Sequence, residues 1–457
     1  MSFFRLGKTK VPHHKRTAGM PGERIAPPAL LYFPVAQNIG APSVPVCKVG
    51  DKVFVGTLIA EGQAFVSAPI HSSVSGTVKK IDSTLSISGK TTPMIVIESD
   101  GQMTPDPDLV PPVVTDFKGL ADAARKAGLV GLGGAGFPTS VKLSPRDLSA
   151  IDTLVLNGAE CEPYITSDTR TMLDDTDDLI EGIKLIEKFT EIKSVVIGIE
   201  KNKPECIAKL REVLKDDPKA RVCSLSCGYP QGAEKVLIYN CTGRVVPEGG
   251  LPSDAGVIVM NVTTLACLAK YVRTGMPLVE KCVTVDGSAI ADPKNLIVPI
   301  GTPIKYVIDC VGGFIGEKGD GTMAAGKVLY GGPMMGVAVY DLDSPILKNT
   351  NAIVALNKKD AKEPKVNPCI HCGRCVSACP MALNPTTYAK ALNVSDAAER
   401  AIRLEEAKIN LCMECGCCSY VCPSKRPLVE YNKLAKTELR EYKAAVAARE
   451  KAKEDKT

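Results

Sequence analysis

The sequence predicts a multidomain chain of α/β and α+β parts, and three observations carry that expectation. At 457 residues it has room for three or four domains of roughly 100–200 residues each. Short β-rich runs at the start and again past the middle flank a long stretch in which apolar runs alternate with helix-spaced segments. Near the end, eight of the 18 cysteines fall into two tight groups, the pattern of a metal-binding module rather than of a disulfide framework. The balance of 45% hydrophobic and 23% charged residues is that of a globular chain, not a disordered one.

Residues 1–27 are expected to form an extended N-terminal arm, because Pro12, Pro21 and Pro27 disfavour helix. The basic opening has neither the apolar stretch nor the cleavage site of a secretory signal. In residues 28–104, Val46–Gly56 and Ser67–Ile81 each read as strand, turn and strand. This pattern resembles the biotinyl/lipoyl-like barrel-sandwich hybrid. That fold carries its cofactor on a lysine at a hairpin tip. Counted back from Gly76-Thr77-Val78, the tip falls near Phe65, so no attachment lysine and no swinging arm are expected.

A linker marked by Pro105, Pro107, Pro111 and Pro112 leads into residues 115–275. There Asp152–Asn157 and Ser194–Ile199 are near-continuous apolar runs, as buried parallel strands require. Helical spacing covers 174–190 and 204–215, which predicts a Rossmann-like α/β domain. Residues 276–345 return to β-rich runs at Cys282–Gly287, Leu296–Pro303 and Tyr306–Gly313, and resemble a β-grasp module of the soluble-ligand-binding (SLBB) type. A polar linker precedes the cysteine domain at 362–427. Residues 428–457, rich in Lys, Glu and Ala, read as a charged, solvated helix.

The cysteines carry the strongest chemistry. Cys369, Cys372, Cys375 and Cys379 precede Pro380, and Cys412, Cys415, Cys418 and Cys422 precede Pro423. Both groups have the C-x2-C-x2-C-x3-C-P spacing of two-cluster ferredoxins. Three thiolates on one tight loop cap three corners of a cubane, and the fourth is carried away to the partner cluster. The expected ligand sets are therefore crossed: Cys369, Cys372, Cys375 with Cys422, and Cys412, Cys415, Cys418 with Cys379. Zinc is the alternative that any C-x2-C pair admits. Cys417 receives no role. Among the scattered cysteines, Cys223-x3-Cys227 could be a redox pair, set against the commoner buried free thiol.

A second signal is Gly131-Leu-Gly133-Gly134-Ala-Gly136-Phe137, followed by Lys142. Closely spaced glycines let backbone amides approach a phosphate or a flat ring. A strand about 20 residues on ends in Asn157-Gly-Ala-Glu160-Cys-Glu162, and polar residues at that end of a strand sit where open α/β sheets bind ligands.

Together, the module order, the glycine loop, Asn157–Pro163, the Gly331–Gly336 loop and the eight cysteines resemble the RnfC family. Its members belong to the Rnf electron transport complex, an ion-translocating ferredoxin:NAD oxidoreductase. The resemblance covers almost the whole chain, and the central part is similar to the NADH- and FMN-binding subunit of respiratory complex I. It implies FMN, NAD(H) and two [4Fe-4S] clusters as cofactors. Gly131, Gly133 and Lys142 match residues that cradle the flavin and its phosphate, and Phe137 an aromatic that stacks on the nicotinamide nucleotide. Asn157 and Glu160 match flavin contacts, and Glu162 a residue on the ribose side of the dinucleotide. Tyr229, Gly232 and Glu234 match a second flavin and dinucleotide loop, and Asn261 and Thr264 the flavin phosphate loop. For the three glutamates the plainer alternative is an ordinary solvated loop acid. Leu132 stands where complex I has an arginine, and Ala159 and Ala233 where it has acids. No catalytic side chain is implied, since hydride transfer takes place at the flavin; His13, His14, His71 and His371 lie in no motif.

The implied function is hydride exchange between nicotinamide and FMN, with single electrons passing through the clusters, coupled in the complex to ferredoxin and to ion movement. The implied partners are integral-membrane subunits and the iron–sulfur subunit that meets ferredoxin, and the implied place is peripheral, on the cytoplasmic face of the membrane. Alternatives are a cobalamin reductase of a bacterial microcompartment, whose barrel-sandwich module follows the flavin domain, and a non-enzymatic cluster scaffold. The formal charge of +5 falls near neutral once two clusters add about −4 and a flavin phosphate up to about −2. With no Trp and 5% aromatic residues, nucleic acid is not an expected partner. No apolar stretch is long enough to span a membrane.

Overall fold

The structure, a computed structural model, describes residues 6–86, 89–316 and 325–454. The first five residues of the expected arm, two in the barrel segment, 317–324 of the β-grasp segment and the last three of the C-terminal helix lie outside the described residues.

The barrel-sandwich module has a four-stranded sheet in the order Leu30–Pro34, Thr91–Ser99, Gly76–Leu85, Lys52–Val53, and a three-stranded one of Val44–Pro45, Leu58–Glu61 and Ile70–His71. Alternate residues of each strand point inward, so Leu31, Phe33, Ile95, Ile97 and Val78 of one sheet meet Ile59 and Ile70 of the other. This core continues without a break into the α/β domain through Leu120, Ala124 and Leu129. The turn that ends in Phe65 is held from that domain: the Arg125 guanidinium donates to the carbonyls of Gly62, Ala64 and Phe65.

The α/β domain is a parallel sheet in the order Ala220–Leu225, Ser194–Glu200, Thr153–Gly158, Val257–Asn261. Leu154–Leu156 and Val195–Ile197 are fully buried because helices cover both faces. The expected helices are present as Thr176–Lys188 and Pro204–Val213. A further helix, Ser167–Asp174, was not expected. Its Ser, Thr and Asp residues have poor helix propensity, and it forms because the buried Glu160 carboxylate, outside the segment, accepts from the Asp168 and Thr169 amides of its first turn.

The β-grasp module is built on a six-stranded sheet in the order Gly22–Arg24, Lys294–Pro299, Glu280–Asp286, Ala352–Asn357, Ala325–Tyr330, Val337–Ala338. The N-terminal arm thus supplies an edge strand, and the sheet's centre holds a strand from just before the polar linker. Tyr306–Gly313, expected to be β-rich, instead begins in the helix Ile304–Asp309. Pro303 sets its entry, and Ile304, Val307 and Ile308 at helical spacing are the residues it buries.

The cysteine domain repeats its own backbone. His371 and Glu414, Gly373 and Gly416, Ala382 and Lys425 sit at equivalent places and all have positive φ, and each first half-turn leads into a short helix, Arg374–Ser377 or Cys417–Tyr420. The helix Leu428–Glu454 closes the chain.

Three modules meet on one lysine nitrogen. Lys348, 1% exposed, donates to the carbonyl of Pro69 in the barrel and to that of Gly128 in the α/β domain. Burial lowers its pKa from 10.5 to about 7. The folded chain has therefore released a proton that the unfolded chain still holds between pH 7 and 10.5, so stability linked to this group rises with pH. Relative to Lys348→Met, the wild type should gain at most about 1.4 kcal/mol per pH unit over that range. Denaturant unfolding of both proteins from pH 7 to 10 checks this, and a flat or falling difference contradicts it.

Candidate functional site

The glycine loop opens where the α/β and β-grasp modules touch. Gly131 N–H donates to the Phe137 carbonyl at 2.8 Å and Gly136 N–H to the Gly131 carbonyl at 3.1 Å, which closes the loop on itself. Gly134 has φ +130° and a side chain there would meet nothing within 4 Å, whereas one at Gly133 would come within 2.9 Å of Asn261 Nδ2. The loop therefore rests against Asn261 and presents Gly134 to open space. Its carbonyls are gripped from the β-grasp side: Lys281 Nζ donates to Leu132, Asn351 Nδ2 to Gly133 and Asn349 Nδ2 to Gly134. In a trans peptide the following N–H points the opposite way, so the amides of Gly133, Gly134 and Ala135 are turned from that module, as an anion cradle requires. Lys281 is buried, and desolvation brings its pKa down to about 8 against the opposing pull of Asp168.

The other expected residues gather at the C-terminal ends of the two adjacent strands Thr153–Gly158 and Val257–Asn261. Asn157 lies beside Asn261 in the parallel register. Its Nδ2 donates to the Gly232 carbonyl at 2.9 Å, which ties in the loop carrying Tyr229 and Glu234. Asn261 Oδ1 accepts from Thr264 N–H and caps the helix Val262–Thr274, while its Nδ2 donates to Asp168. Thr264 Oγ1 accepts from Leu132 N–H at 2.9 Å. Lys142 Nζ donates to Glu234 Oε2 at 2.7 Å and to the Val259 carbonyl at 3.3 Å. Asp168 is buried beside Glu160, and desolvation pushes its carboxyl up to about 6. Phe137 is half-buried.

The glutamates divide. Glu234 is a partly exposed ion-pair partner. Glu160 is buried, its carboxylate engaged by the helix cap and by Thr169 Oγ1. Glu162 is largely buried and raised in pKa by desolvation. Its oxygens accept from the amides of Met334 and Met335 at 3.1 and 2.7 Å, and from Tyr229 Oη at 3.4 Å. It therefore anchors the Gly331–Gly336 loop, away from Lys142 and Asn261.

The arm reaches this site. Lys15, its side chain 13% exposed, donates to the carbonyls of Glu160 and Glu162, both at 2.8 Å, and to that of Ile165. Desolvation lowers its pKa to about 8, opposed first by Glu160. His14 stacks on Tyr164, with ring centroids 4.9 Å apart, and Thr9 and Tyr229 exchange backbone hydrogen bonds, both 2.9 Å. Lys15 lies in what the sequence presents as a basic run, Lys281 follows Glu280, and Asn349 and Asn351 lie in the polar run Lys348–Asn351; nothing local marks any of them.

The eight cysteines of the two motifs line two cavities. One is lined by Cys379, Cys412, Cys415 and Cys418 together with Cys417, the other by Cys369, Cys372, Cys375 and Cys422. Four motif thiols around a cavity suit a polynuclear group. N–H groups already face the sulfurs, from Asn432 Nδ2 to Cys412 Sγ and from the Leu383 amide to Cys379 Sγ, both 3.4 Å. The first cavity lies against the flavin-like site. Cys417 Sγ contacts the Tyr229 carbonyl at 3.7 Å, a side chain at Gly416 would come within 2.7 Å of the Met334 carbonyl, and Val11 of the arm packs with Tyr229, Ala378 and Cys415. Cys417 is thus one of the residues through which the cysteine domain docks. The second cavity opens outward at the exposed Cys372 and Ile370.

Two outcomes follow from these contacts. Lys15→Met should strip amide-exchange protection from 159–165 while leaving the sheet strand 194–200 protected; equal loss in both contradicts a local role. After anaerobic reconstitution, Cys369→Ser and Cys379→Ser should each perturb a different cluster signal in paramagnetic resonance. The same signal lost in both would refute the crossed sets.

Family models match in the order the fold presents. The RnfC barrel sandwich hybrid domain matches residues 4–102, the Nuo51 FMN-binding domain 124–270, the SLBB domain 282–338 and the 4Fe-4S dicluster domain 365–426. The chain is 43% identical to the C subunit of the proton-translocating ferredoxin:NAD(+) oxidoreductase complex of Clostridium ljungdahlii, covering 98% of this chain and 96% of that one. It is 44% identical to the C subunit of the Na(+)-translocating ferredoxin:NAD(+) oxidoreductase complex of Acetobacterium woodii, covering 90% and 91%. Identity to the C subunit of the ion-translocating oxidoreductase complex of Rhodobacter capsulatus is 37%, covering 84% and 74%. With such identity along nearly its whole length and all four modules in place, the chain belongs to the RnfC family of the Rnf-type ion-translocating oxidoreductase complexes.

Proposed function

We propose that this chain is the nicotinamide-interacting flavoprotein subunit of its complex, holding FMN at the glycine loop and two [4Fe-4S] clusters in the crossed cysteine sets. The observation that carries the reading is the contact of Tyr229 and Met334, both tied to Glu162, with Cys415–Cys417 on the wall of the first cavity. When bound, FMN supplies hydride exchange with NAD(H) and single-electron exchange with the clusters.

The chain's own residues bind and orient. Gly131 and Gly133 let backbone lie close to the ligand, and Lys142, Asn261 and Thr264 face the flavin phosphate. Phe137 offers a ring to the nicotinamide nucleotide, and Asn157, Tyr229, Gly232 and Glu234 line the remaining edge. Glu160 and Glu162 act by position. One fixes the strand-end loop through the helix cap, and the other fixes the Gly331–Gly336 loop on the dinucleotide side. Cys379, Cys412, Cys415 and Cys418 would hold the cluster nearer Tyr229 and Met334, and Cys369, Cys372, Cys375 and Cys422 the one nearer the surface, on the side proposed for the iron–sulfur subunit that meets ferredoxin. No helix among the described residues is long and apolar enough to cross a membrane; the proposed attachment is at the cytoplasmic face, through integral-membrane partner subunits.

Anaerobic protein reconstituted with FMN and iron–sulfide tests this. One FMN per chain and bleaching of the flavin band by NADH are expected. FMN retained but bleached only by a chemical reductant would remove the nicotinamide half of the proposal, and no FMN at all would leave a cluster scaffold. Lys142→Ala should weaken FMN about tenfold or more, through a lost charge-assisted phosphate contact, with cluster content unchanged. Equilibrium dialysis measures it.

A further inference from the structure

We propose that Cys223 and Cys241 are a redox-modification site, a dithiol that closes to a disulfide by exchange with a small disulfide of the glutathione class. Cys223 sits on the edge strand Ala220–Leu225 and pairs in register with Gly198 on the next strand. A side chain at Gly198 would come within 2.9 Å of Cys241 Sγ. The Cys241 sulfur, carried by the helix Glu234–Thr242, therefore lies over the glycine one strand across from Cys223. The absence of a side chain at Gly198 makes that approach possible. The two cysteines pack together in one cluster between the helix and the strand. Arg221 on the same strand donates to the Cys241 carbonyl at 2.6 Å, and Cys223 Sγ contacts the Asn240 carbonyl at 3.8 Å. Both contacts hold the last turn of the helix against the strand.

The roles are unequal. Cys223 is half-buried on the open edge of the sheet and Cys241 is buried. The Cys241 thiol and the Arg221 guanidinium favour the Cys223 thiolate, whose pKa is lowered to about 6, while the Cys241 thiol is held protonated. This is the asymmetry of an attacking and a resolving thiol. Cys223 thiolate attacks one sulfur of oxidised glutathione and expels a glutathione thiolate. Cys241, losing its proton to that thiolate, then displaces the second glutathione. Two electrons pass from the protein to the small disulfide, leaving one protein disulfide, one glutathione thiol and one glutathione thiolate that takes its proton from water. The spacing Cys223-x3-Cys227 suggested a pair within one segment. The thiol that faces Cys223 comes instead from the helix that follows.

The full chain with its clusters, held anaerobically in excess oxidised glutathione and quenched with a thiol alkylator, tests the assignment by non-reducing peptide mapping. The expected product is one cross-link joining the Cys223 and Cys241 peptides, two hydrogens lighter than their sum, with iron and sulfide content unchanged. Cys227→Ser should keep it. Cys223→Ser should abolish it, and Cys241→Ser should leave a stable glutathione adduct at Cys223; Cys241→Ala serves if the buried hydroxyl harms folding. A Cys223–Cys227 bond, a persistent adduct in the wild type, an unmodified Cys223, or a cross-link that appears only as iron is lost would each overturn it.

Discussion

A single ammonium, on Lys15, holds together what would otherwise be a run of unpaired carbonyls. Removing a charge from water costs several kcal/mol, and here the cost is offset by three backbone carbonyls and the nearby Glu160 carboxylate. Lys203 approaches the same carboxylate from the other side and donates to the Ala159 carbonyl. The segment between Asn157 and Ile165 takes its shape from these two cations. From it, Glu160 caps one helix and Glu162 anchors the loop against which the cysteine domain docks. The arm is a strap, and the site is strung on it.

The β-grasp module has the matching role on the opposite side. Its part is bracing rather than ligation, since three of its side chains hold successive carbonyls of the glycine loop. A glycine-rich loop loses much backbone entropy on being ordered, and an adjacent rigid sheet lowers that cost. The module order along the chain thus has a physical sense, since the loop that must stay bare is braced from outside.

How much of this the sequence discloses follows from how far each signal reaches. The cysteine spacing is local, and the structure gathers those residues as the spacing requires. The parallel strands are legible too, because burial on both faces leaves little room for polar residues. The helix Ser167–Asp174 is invisible locally because its cap comes from Glu160, and Tyr306–Gly313 misleads because β-branched residues at helical spacing also fill a strand. Lys15 reads as part of a solvated basic run, since its carbonyl partners lie far along the chain. The glycine loop is legible as a loop, but not the side chains that brace it.

The strap also sets an order in time. The arm is made before the cysteine domain, yet Gly7 lies against the Cys379 backbone and Val11 packs with Cys415 and Cys417. Contacts of such long sequence separation form late, because the chain between them must be in place. During synthesis the barrel and the α/β sheet can therefore fold on their shared core before the arm has all its partners. The strap reaches its full set of partners only when the cysteine domain has been made and docked, so completion of the first site waits on the second.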